Sequence, residues 1–333
     1  MDVPTPLMHL LISSTGNHSR VTNCSDILKT RNQSLNTFLV AFLSVILLHG
    51  VIFNSFAIWV FCFKMKKWTE TRVFMMNLLM SDCCLLLFIP FRIYAAQHKW
   101  NLGPVCCKVV LPAYFMNTYM SIAIITLISV DRYIAIKFPL KARSLRSPKK
   151  AATACGIVLM LLLGSYFYLD FQSDFIFREP SFCFEKVFPD PLGRSLYFSI
   201  LGFWVPLIIQ SFCTVEIIRT LNRKDLINNH ESKSVQKTIY IVSCNLTIFL
   251  VCFLPVNIGH VVRFTLESLK FKCSVIKNIN HYVYGAQAIG DLNCCLDAVC
   301  YYFVAKEFWE KSMMIPKFKK LQHTWNRTQD SSL

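Results

Sequence analysis

Seven long apolar blocks, separated by short polar connections, dominate the pattern of the chain. Each block has about 20 or more residues, the length that a helix needs to cross a hydrocarbon core about 30 Å thick. The blocks are residues 37–63, 71–97, 104–136, 151–170, 195–219, 238–264 and 275–302. The pattern therefore predicts an all-α membrane protein, a seven-transmembrane helix bundle, because the connections are too short to fold as separate domains.

The two ends of the chain complete this prediction. Residues 1–36 form a polar N-terminal segment, residues 37–302 the bundle, and residues 303–333 a C-terminal segment. Residues 303–311 alternate aromatic and charged side chains at helical spacing, which predicts an eighth, amphipathic helix on the membrane surface. The apolar stretch at residues 7–12 is short and follows no basic residue, so we expect the first block, and not a cleaved signal peptide, to direct insertion.

Composition agrees with a membrane protein and argues against nucleic-acid binding. Only 16% of the residues are charged, whereas about a quarter is usual in soluble proteins. The net charge is +16, but it is unevenly distributed. If the N-terminus lies outside, the cytoplasmic segments hold 21 of the 35 Lys and Arg residues. An excess of positive charge in short cytoplasmic loops is the usual orientation signal, and these loops would rest on anionic lipid.

The N-terminal segment gives independent support for this orientation. Asn17, Asn23 and Asn32 each begin an Asn-x-Ser sequence, the acceptor pattern for N-glycosylation. Glycosylation takes place in the lumen, so the three sites predict a glycosylated, extracellular N-terminus and a cytoplasmic C-terminus. We therefore expect a multi-pass protein of the plasma membrane.

Most of the 15 cysteines lie in the apolar blocks, where a thiol behaves as a small hydrophobic group. The predicted exterior holds Cys24, Cys106, Cys107, Cys183 and Cys273, and an oxidising exterior permits disulfides. We pair Cys107 with Cys183 and Cys24 with Cys273. Cys106 is then left over.

Two acids lie at membrane depth, where an ionised side chain is costly and usually functional. Asp82 is in the second block and Asp297 in the seventh. Asn117, Ser121 and Asn293 add oxygen atoms at similar depth. Carboxylate, amide and hydroxyl oxygens suit a hard cation such as sodium. The alternative, that each polar group forms only a hydrogen bond between helices, is favoured for a single Asn. Two buried acids without a basic neighbour, however, require a cation or a proton.

A set of motifs with fixed spacing resembles the rhodopsin-like (class A) G-protein-coupled receptors from about residue 37 to 311. Arg132, within Asp131-Arg132-Tyr133, lies 25 residues after Cys107, as is usual in that family. The other matching motifs are Gly50–Asn54, residues 77–82, Trp100 with Gly103, Pro206, residues 252–255 and residues 297–301.

Further segments resemble the delta branch of that family. They are residues 145–150, 182–184, 293–302 and 304–308. Within the branch, the chain is most similar to the orphan receptor discussed as a kynurenic-acid receptor. The lysophosphatidylinositol receptor and the purinergic-like lysophosphatidic acid receptors come next.

The resemblance implies a signalling mechanism. Asp131 would hold Arg132 in the resting state, and Arg132 would meet a heterotrimeric G protein when the sixth helix moves outward. The residues of this switch would be Asp131, Arg132, Tyr133, Phe249, Phe253, Pro255 and Tyr301. Sodium would be held in the inactive state by Asp82, Asn117, Ser121, Asn293 and Asp297. Arrestin would bind the phosphorylated tail, and no enzymatic activity is implied.

Arg92 and Arg263, near the outer ends of the second and sixth helices, point to an acidic ligand. Guanidinium groups bind carboxylates and phosphates through paired hydrogen bonds. The predicted ligand-binding set is Arg92, Tyr94, Lys108, Tyr114, Thr118, His260, Arg263 and His281. The alternative is that these cations lie at lipid headgroups or pair with Glu267 and the outer-loop acids. An acidic metabolite and a lysophospholipid would both suit such a pocket.

Two details favour the longer amphiphile. Thr118 stands where the kynurenate-type receptor has an arginine, and Leu169 where it has a basic residue. The Arg92 segment, conversely, looks more like the lysophospholipid relatives. A peptide or chemokine receptor of the same fold is the main alternative, but it would use an acidic N-terminus, and only Asp2 and Asp26 precede residue 37. A transporter would need broken helices or an inverted repeat, and the chain has only ten glycines and no repeat.

Overall fold

The computed structural model describes residues 24–30, 32–64, 68–171, 182–225 and 232–297. In this part of the chain the secondary structure is helical, without a strand. The helices are α1 (Cys24–Leu28), α2 (Gln33–Trp59), α3 (Glu70–Gln97), α4 (Gly103–Lys137), α5 (Pro139–Leu145), α6 (Pro148–Phe171), α7 (Gly193–Ser199), α8 (Val205–Asp225), α9 (Ser232–Ser268) and α10 (Cys273–Asp291). The predicted helix at residues 303–311 lies outside the described residues, as do Asn17, Asn23 and Tyr301.

Six helical segments of the described chain are long and apolar enough to cross a membrane. They correspond to the first six predicted blocks, and the fifth joins α7 to α8 through a π-helical turn, Ile200–Trp204. The helix of the seventh block, α10, is not among them. Its polar side chains Asn280, Gln287 and Asp291 are buried, so they face the bundle and not the lipid. After a turn at Leu292 the chain is helical again over residues 293–297.

The spanning helices other than α6 close into a ring. Along this ring α2 packs on α3, α3 on α4, α4 on α8, α8 on α9, α9 on α10, and α10 on α2. The long helix α4 also contacts α6, which places it at the centre of the bundle. Ile122 on this helix is fully buried, together with Phe203 and Phe249 from the fifth and sixth spans.

Both predicted disulfides are present in the structure. Cys107 at the start of α4 is joined to Cys183 in the loop after α6, and Cys24 in α1 is joined to Cys273 at the start of α10. Their Cα atoms lie 5.6 and 5.5 Å apart, respectively. Cys106 is a free, half-buried thiol. We call the end of the bundle that carries these bridges the disulfide end.

The exposed side chain of Asn32 caps α2 at this same end. Its Oδ1 accepts a hydrogen bond of 3.1 Å from the backbone N–H of Leu35. This bond satisfies one of the N–H groups that a helix leaves without a partner in its first turn.

The π-helical turn brings the fifth span close to α4. A Cβ atom at Gly202 would lie 2.6 Å from Cδ1 of Tyr119, too close for carbon atoms without movement of the ring. Glycine therefore permits this approach, and Phe203 beside it enters the core. Single π-helical turns of this kind occur often at functional sites.

Candidate ligand-binding site

A large cavity opens at the disulfide end of the bundle. It encloses about 1210 Å³ of empty space, including the part open to solvent. Every spanning helix contributes to its wall, and the loop at Cys183 covers one side. Ligand pockets are concave and mostly apolar, with a few convergent polar groups that fix orientation. This cavity has that character and is the candidate ligand site.

Half of the predicted ligand residues line this cavity. Those that do are Arg92, Tyr114, His260 and Arg263. They come from the second, third and sixth spans, as the sequence predicted, and converge on one space.

The other four predicted ligand residues do not line this cavity. Lys108 is exposed on α4. Tyr94 donates to Asn101 and packs against Trp100. Thr118 accepts a bond of 3.4 Å from Gln287 but is not part of the cavity wall. His281 lines a smaller neighbouring cavity. The position of a residue in the sequence does not show which way its side chain points.

Arg92 is the centre of a buried network at one side of the cavity. Its guanidinium donates to the Asp291 carboxylate and to the Tyr114 hydroxyl, and at 2.9 Å to the backbone oxygen of Tyr284. Tyr114 also donates to Asp291 at 2.6 Å. The pair of Arg92 and Asp291 is almost fully buried. Asp291 therefore neutralises the Arg92 charge within the protein.

Asp291 was not among the site residues predicted from the sequence. Asp82 and Asp297 were the acids predicted at membrane depth, although Asp291 lies in the same apolar block as Asp297. The rule that an ionisable residue in a spanning helix has a function or a partner would have identified it. Its partner Arg92 is 199 residues away in the chain, which no local pattern shows.

Arg263 has a different environment from Arg92. Its guanidinium donates to Ser195 Oγ at 3.0 Å and lies 3.2 Å from Nδ1 of His260. Ser195 and His260 are also 3.1 Å apart, so the three side chains form one cluster between α7 and α9. Among the described residues, no carboxylate lies within ion-pair distance of Arg263.

Lys186, which the sequence analysis did not select, fastens the loop over the cavity. Its side chain forms an ion pair with Glu267 and donates to the backbone oxygen of Asp190 at 2.6 Å. Its backbone N–H donates to the Tyr284 hydroxyl at 2.6 Å, and its backbone oxygen accepts from Asn280 at 3.3 Å. Burial lowers the pKa of Lys186 to about 8, although Glu267 acts in the opposite direction. One residue thus ties the loop to both α9 and α10.

At the opposite end of the bundle, the predicted ion pair between Asp131 and Arg132 is replaced by another. Asp131 accepts hydrogen bonds of 2.7 and 2.8 Å from Arg146 in the connection after α5. Arg146 also lies 3.8 Å from Glu70. Arg132 instead donates to Thr71 at 3.2 Å. The expectation that Asp131 holds Arg132 is wrong for this structure, because α5 brings a second arginine to the same carboxylate.

The aromatic side chains of the predicted switch form a stack inside the bundle. Phe249 lies parallel to Phe203, with ring centroids 5.6 Å apart and an interplanar angle of 9°. Phe253 meets Phe249 edge-on at 5.4 Å. Pro255 lies within α9 two residues further on. Nearer the opposite end, the Tyr133 ring packs against Phe138 and Phe212.

The five predicted sodium ligands are all buried. Asn293 donates to Asp297 at 2.6 Å, and Asn117 accepts from Ser81 at 2.5 Å. In the described part of the chain, Ser121 Oγ and Asn293 Oδ1 have no hydrogen-bond partner. Buried oxygen atoms without partners are unusual in proteins. Their chemistry suits a small hard cation.

Comparisons with known proteins point to the same kind of membrane protein as the helical bundle and its cavity. The family model described as 7 transmembrane receptor (rhodopsin family) matches residues 53–301. Mouse G-protein coupled receptor 35 is 36% identical over 313 residues, covering 94% of this chain and 98% of that protein. Human lysophosphatidic acid receptor 6 is 31% identical, covering 79% of each chain. Mouse G-protein coupled receptor 55 is 34% identical, covering 78% of this chain and 83% of that protein.

Proposed function

Because the chain belongs to the rhodopsin family of seven-transmembrane receptors, we propose that it binds an anionic small molecule or lysophospholipid at the disulfide end and activates a heterotrimeric G protein. Membership of the family makes it a multi-pass plasma-membrane receptor and not an enzyme. Membership of this family also implies that its partners are G proteins and that its ligands are small molecules or lipids. The proposal concerns which ligand class binds, and how.

The environment of Arg263 carries the proposal. This guanidinium is buried in the wall of the cavity, beside Ser195 and His260, and has no described carboxylate as its partner. A buried charge is costly unless it is paired, and a carboxylate or phosphate is the partner that Arg binds best. Several of the similar receptors are named for lysophosphatidic acid, a phosphate-bearing lipid.

Replacing Arg263 by methionine is expected to reduce agonist potency about 10–100-fold, the ratio that corresponds to loss of a hydrogen bond with a charged group. The measurement is G-protein dissociation in cells, screened with lysophospholipids and acidic metabolites. Lys108→Met is the matched control, because Lys108 is exposed outside the cavity. The agonist should have the same potency on this variant as on the wild type. Equal potency for Arg263→Met would rule out the anionic pocket.

We place the activating movement in α9, with the aromatic stack as its pivot. Phe249 and Phe253 are fully buried on α9, against Phe203 of the fifth span. Packed interfaces of this kind have discrete arrangements and do not deform continuously. A ligand that binds one arrangement more tightly shifts the population towards it. Outward movement of α9 is then a repacking of this stack.

Arg146 adds a feature of this chain to the cytoplasmic switch that we propose. Because Arg146 binds Asp131, this carboxylate does not have to be displaced from Arg132 before Arg132 meets the G protein. Replacing Arg146 by methionine should allow Asp131 to form an ion pair with Arg132 instead. Agonist-driven signalling should then fall several-fold. Arg143→Met, an exposed change in α5, is the control. Unchanged or higher signalling by Arg146→Met would contradict this role.

Asp82, Asn117, Ser121, Asn293 and Asp297 are the residues we propose for an allosteric sodium ion. The buried oxygens of Ser121 and Asn293 that have no hydrogen-bond partner in the described chain support this site. Sodium bound there would neutralise buried carboxylate charge. Replacing sodium by a bulky organic cation should then lower the melting temperature of the purified receptor and raise basal signalling. The difference should vanish in Ser121→Ala, and a wild-type receptor that is indifferent to sodium would contradict the site.

The orientation of the chain and its arrestin partner remain parts of the proposal. An extracellular N-terminus is supported by the sequons at Asn17, Asn23 and Asn32 and by the basic loops at the other end. In this orientation the ligand cavity faces outside and Arg132 faces the cytoplasm. Glycosidase treatment should increase the electrophoretic mobility of the mature chain. No change in mobility would remove the support of the sequons.

A further inference from the structure

We infer that Asp291 determines ligand specificity: by neutralising Arg92, it restricts the cavity to ligands that are anionic at one end and uncharged at the other. This inference rests on the proposed function, in which the anionic end binds at Arg263. It goes beyond that function by defining the chemistry of the rest of the ligand. A cavity with two free arginines would instead select a ligand with two anionic groups.

Three arginines line the cavity: Arg92, Arg194 and Arg263. Arg194, next to Ser195 on α7, lies over the Tyr166 ring and so adds positive charge on the Arg263 side. Arg263 belongs to the cluster with Ser195 and His260, between α7 and α9. Arg92 belongs to the network with Tyr114 and Asp291, which joins α3, α4 and α10. In the part of the chain that the structure describes, only the Arg92 network contains a carboxylate bonded to the arginine.

The cavity wall next to Arg92 is apolar. Ala95 and Ala96 lie three and four residues after Arg92 on α3, and Leu111 lies three residues before Tyr114 on α4. Residues at these spacings share one face of a helix. Leu39 from α2 completes this part of the wall. Gln287, one turn before Asp291 on α10, is a polar but uncharged member of the wall. The Arg92 end of the cavity therefore offers mostly apolar, uncharged surface around a neutral ion pair.

A second anionic group would gain little at this end. The Arg92 guanidinium already donates to Asp291, to Tyr114 and to the backbone oxygen of Tyr284. An incoming carboxylate would meet the Asp291 charge and would lose its own hydration. An apolar end of the ligand has no charge to be repelled and no strong hydration to lose in the same place, and its transfer out of water is favourable. Rejection of the wrong group is as much a part of specificity as attraction of the right one.

The test uses three families of water-soluble probes with equal chain lengths: monocarboxylates, α,ω-dicarboxylates and ω-amino carboxylates. Binding is measured as the thermal stabilisation of the purified full-length receptor. Wild type should prefer the monocarboxylates. Asp291→Asn leaves Arg92 without its carboxylate partner. This variant should bind the matching dicarboxylate about tenfold more tightly than wild type does, as expected for one charge-assisted hydrogen bond. Arg92→Gln leaves Asp291 without its cationic partner. This variant should bind the matching ω-amino carboxylate about tenfold more tightly than wild type does.

Two control variants complete the design. Arg92→Gln combined with Asp291→Asn removes both charges and should return to the wild-type preference. Asp190→Asn changes an exposed acid of the loop and should have no effect on the ranking of probes. Each single variant leaves one buried charge, so it is purified in the presence of its matching probe. Asp291→Asn and Arg92→Gln test the same ion pair from its two sides, so a purified, folded form of either variant is enough for the test.

The outcomes separate this inference from the proposed function. If Asp291→Asn and Arg92→Gln keep the wild-type ranking of the probes, Asp291 has no role in specificity. If monocarboxylates stabilise Arg263→Met as well as wild type, the proposed function fails independently of that ranking. A receptor that no probe stabilises in any variant overturns both.

Discussion

Replacing Lys186 by methionine is expected to lower the free energy of unfolding by about 3–5 kcal/mol, the usual cost of removing one partner from a buried ion pair. The side chains of Lys186 and Glu267 are 4% and 1% exposed. The variant leaves the Glu267 carboxylate buried without its cation, and it also removes the bond from Lys186 to the backbone oxygen of Asp190. The loop would then lose its side-chain attachment to α9.

The measurement is denaturant or thermal unfolding of the purified receptor in detergent. Lys272→Met is the matched control, because Lys272 is an exposed lysine at the start of α10 and should cost under about 1 kcal/mol. Combining Lys186→Met with Glu267→Leu should restore most of the lost stability, since a pair of apolar side chains often replaces a buried ion pair at little cost. Equal effects of Lys186→Met and Lys272→Met would show that the ion pair contributes nothing.

Phe249→Ala is the second substitution with a large expected effect. Phe249 is fully buried, and truncation of a buried phenylalanine to alanine usually costs about 3–5 kcal/mol through lost contacts and the cavity that remains. It also removes the ring between Phe203 and Phe253. The variant should therefore be less stable. It should also respond to agonist only weakly, because in the proposed mechanism this packing gives α9 two discrete positions.

The matched control is Phe167→Ala on α6, whose ring is 65% exposed towards the lipid side of the bundle. It should retain wild-type stability and signalling within experimental error. Phe249→Leu keeps most of the volume and should lose less stability than alanine. A Phe249→Ala receptor with normal agonist response would show that the aromatic stack is structural and not part of the switch.

The sequence predicted the architecture well, because a membrane imposes a simple length rule on apolar segments. Six spanning segments agree with their predicted blocks to within a few residues, and both disulfides connect the predicted cysteines. The seventh helix was predicted as one block of residues 275–302, but α10 starts at Cys273 and the helix is interrupted at Leu292. Its buried polar face explains why hydropathy describes it least well.

The site was predicted less completely than the fold, since charge pairing depends on which side chains meet across the bundle. Arg92 and Arg263 look equivalent in the sequence, yet Arg92 forms an ion pair with Asp291, and Arg263 forms none with a described carboxylate. In the same way, Arg146 takes the carboxylate that the family pattern assigns to Arg132. Hydrophobic periodicity fixes the depth of a residue in the membrane, but it does not identify the residue opposite.

The wide turn at Ile200–Trp204 affects how the fifth span is compared with other receptors. One additional residue in a turn rotates everything that follows by about 100°, the angle per residue of a regular helix. Ser195 before the turn and Gln210 after it therefore do not share the geometric relation that their spacing suggests. An alignment that treats this span as one uninterrupted helix would assign wrong neighbours to one half of it, either the half at the disulfide end or the half at the opposite end.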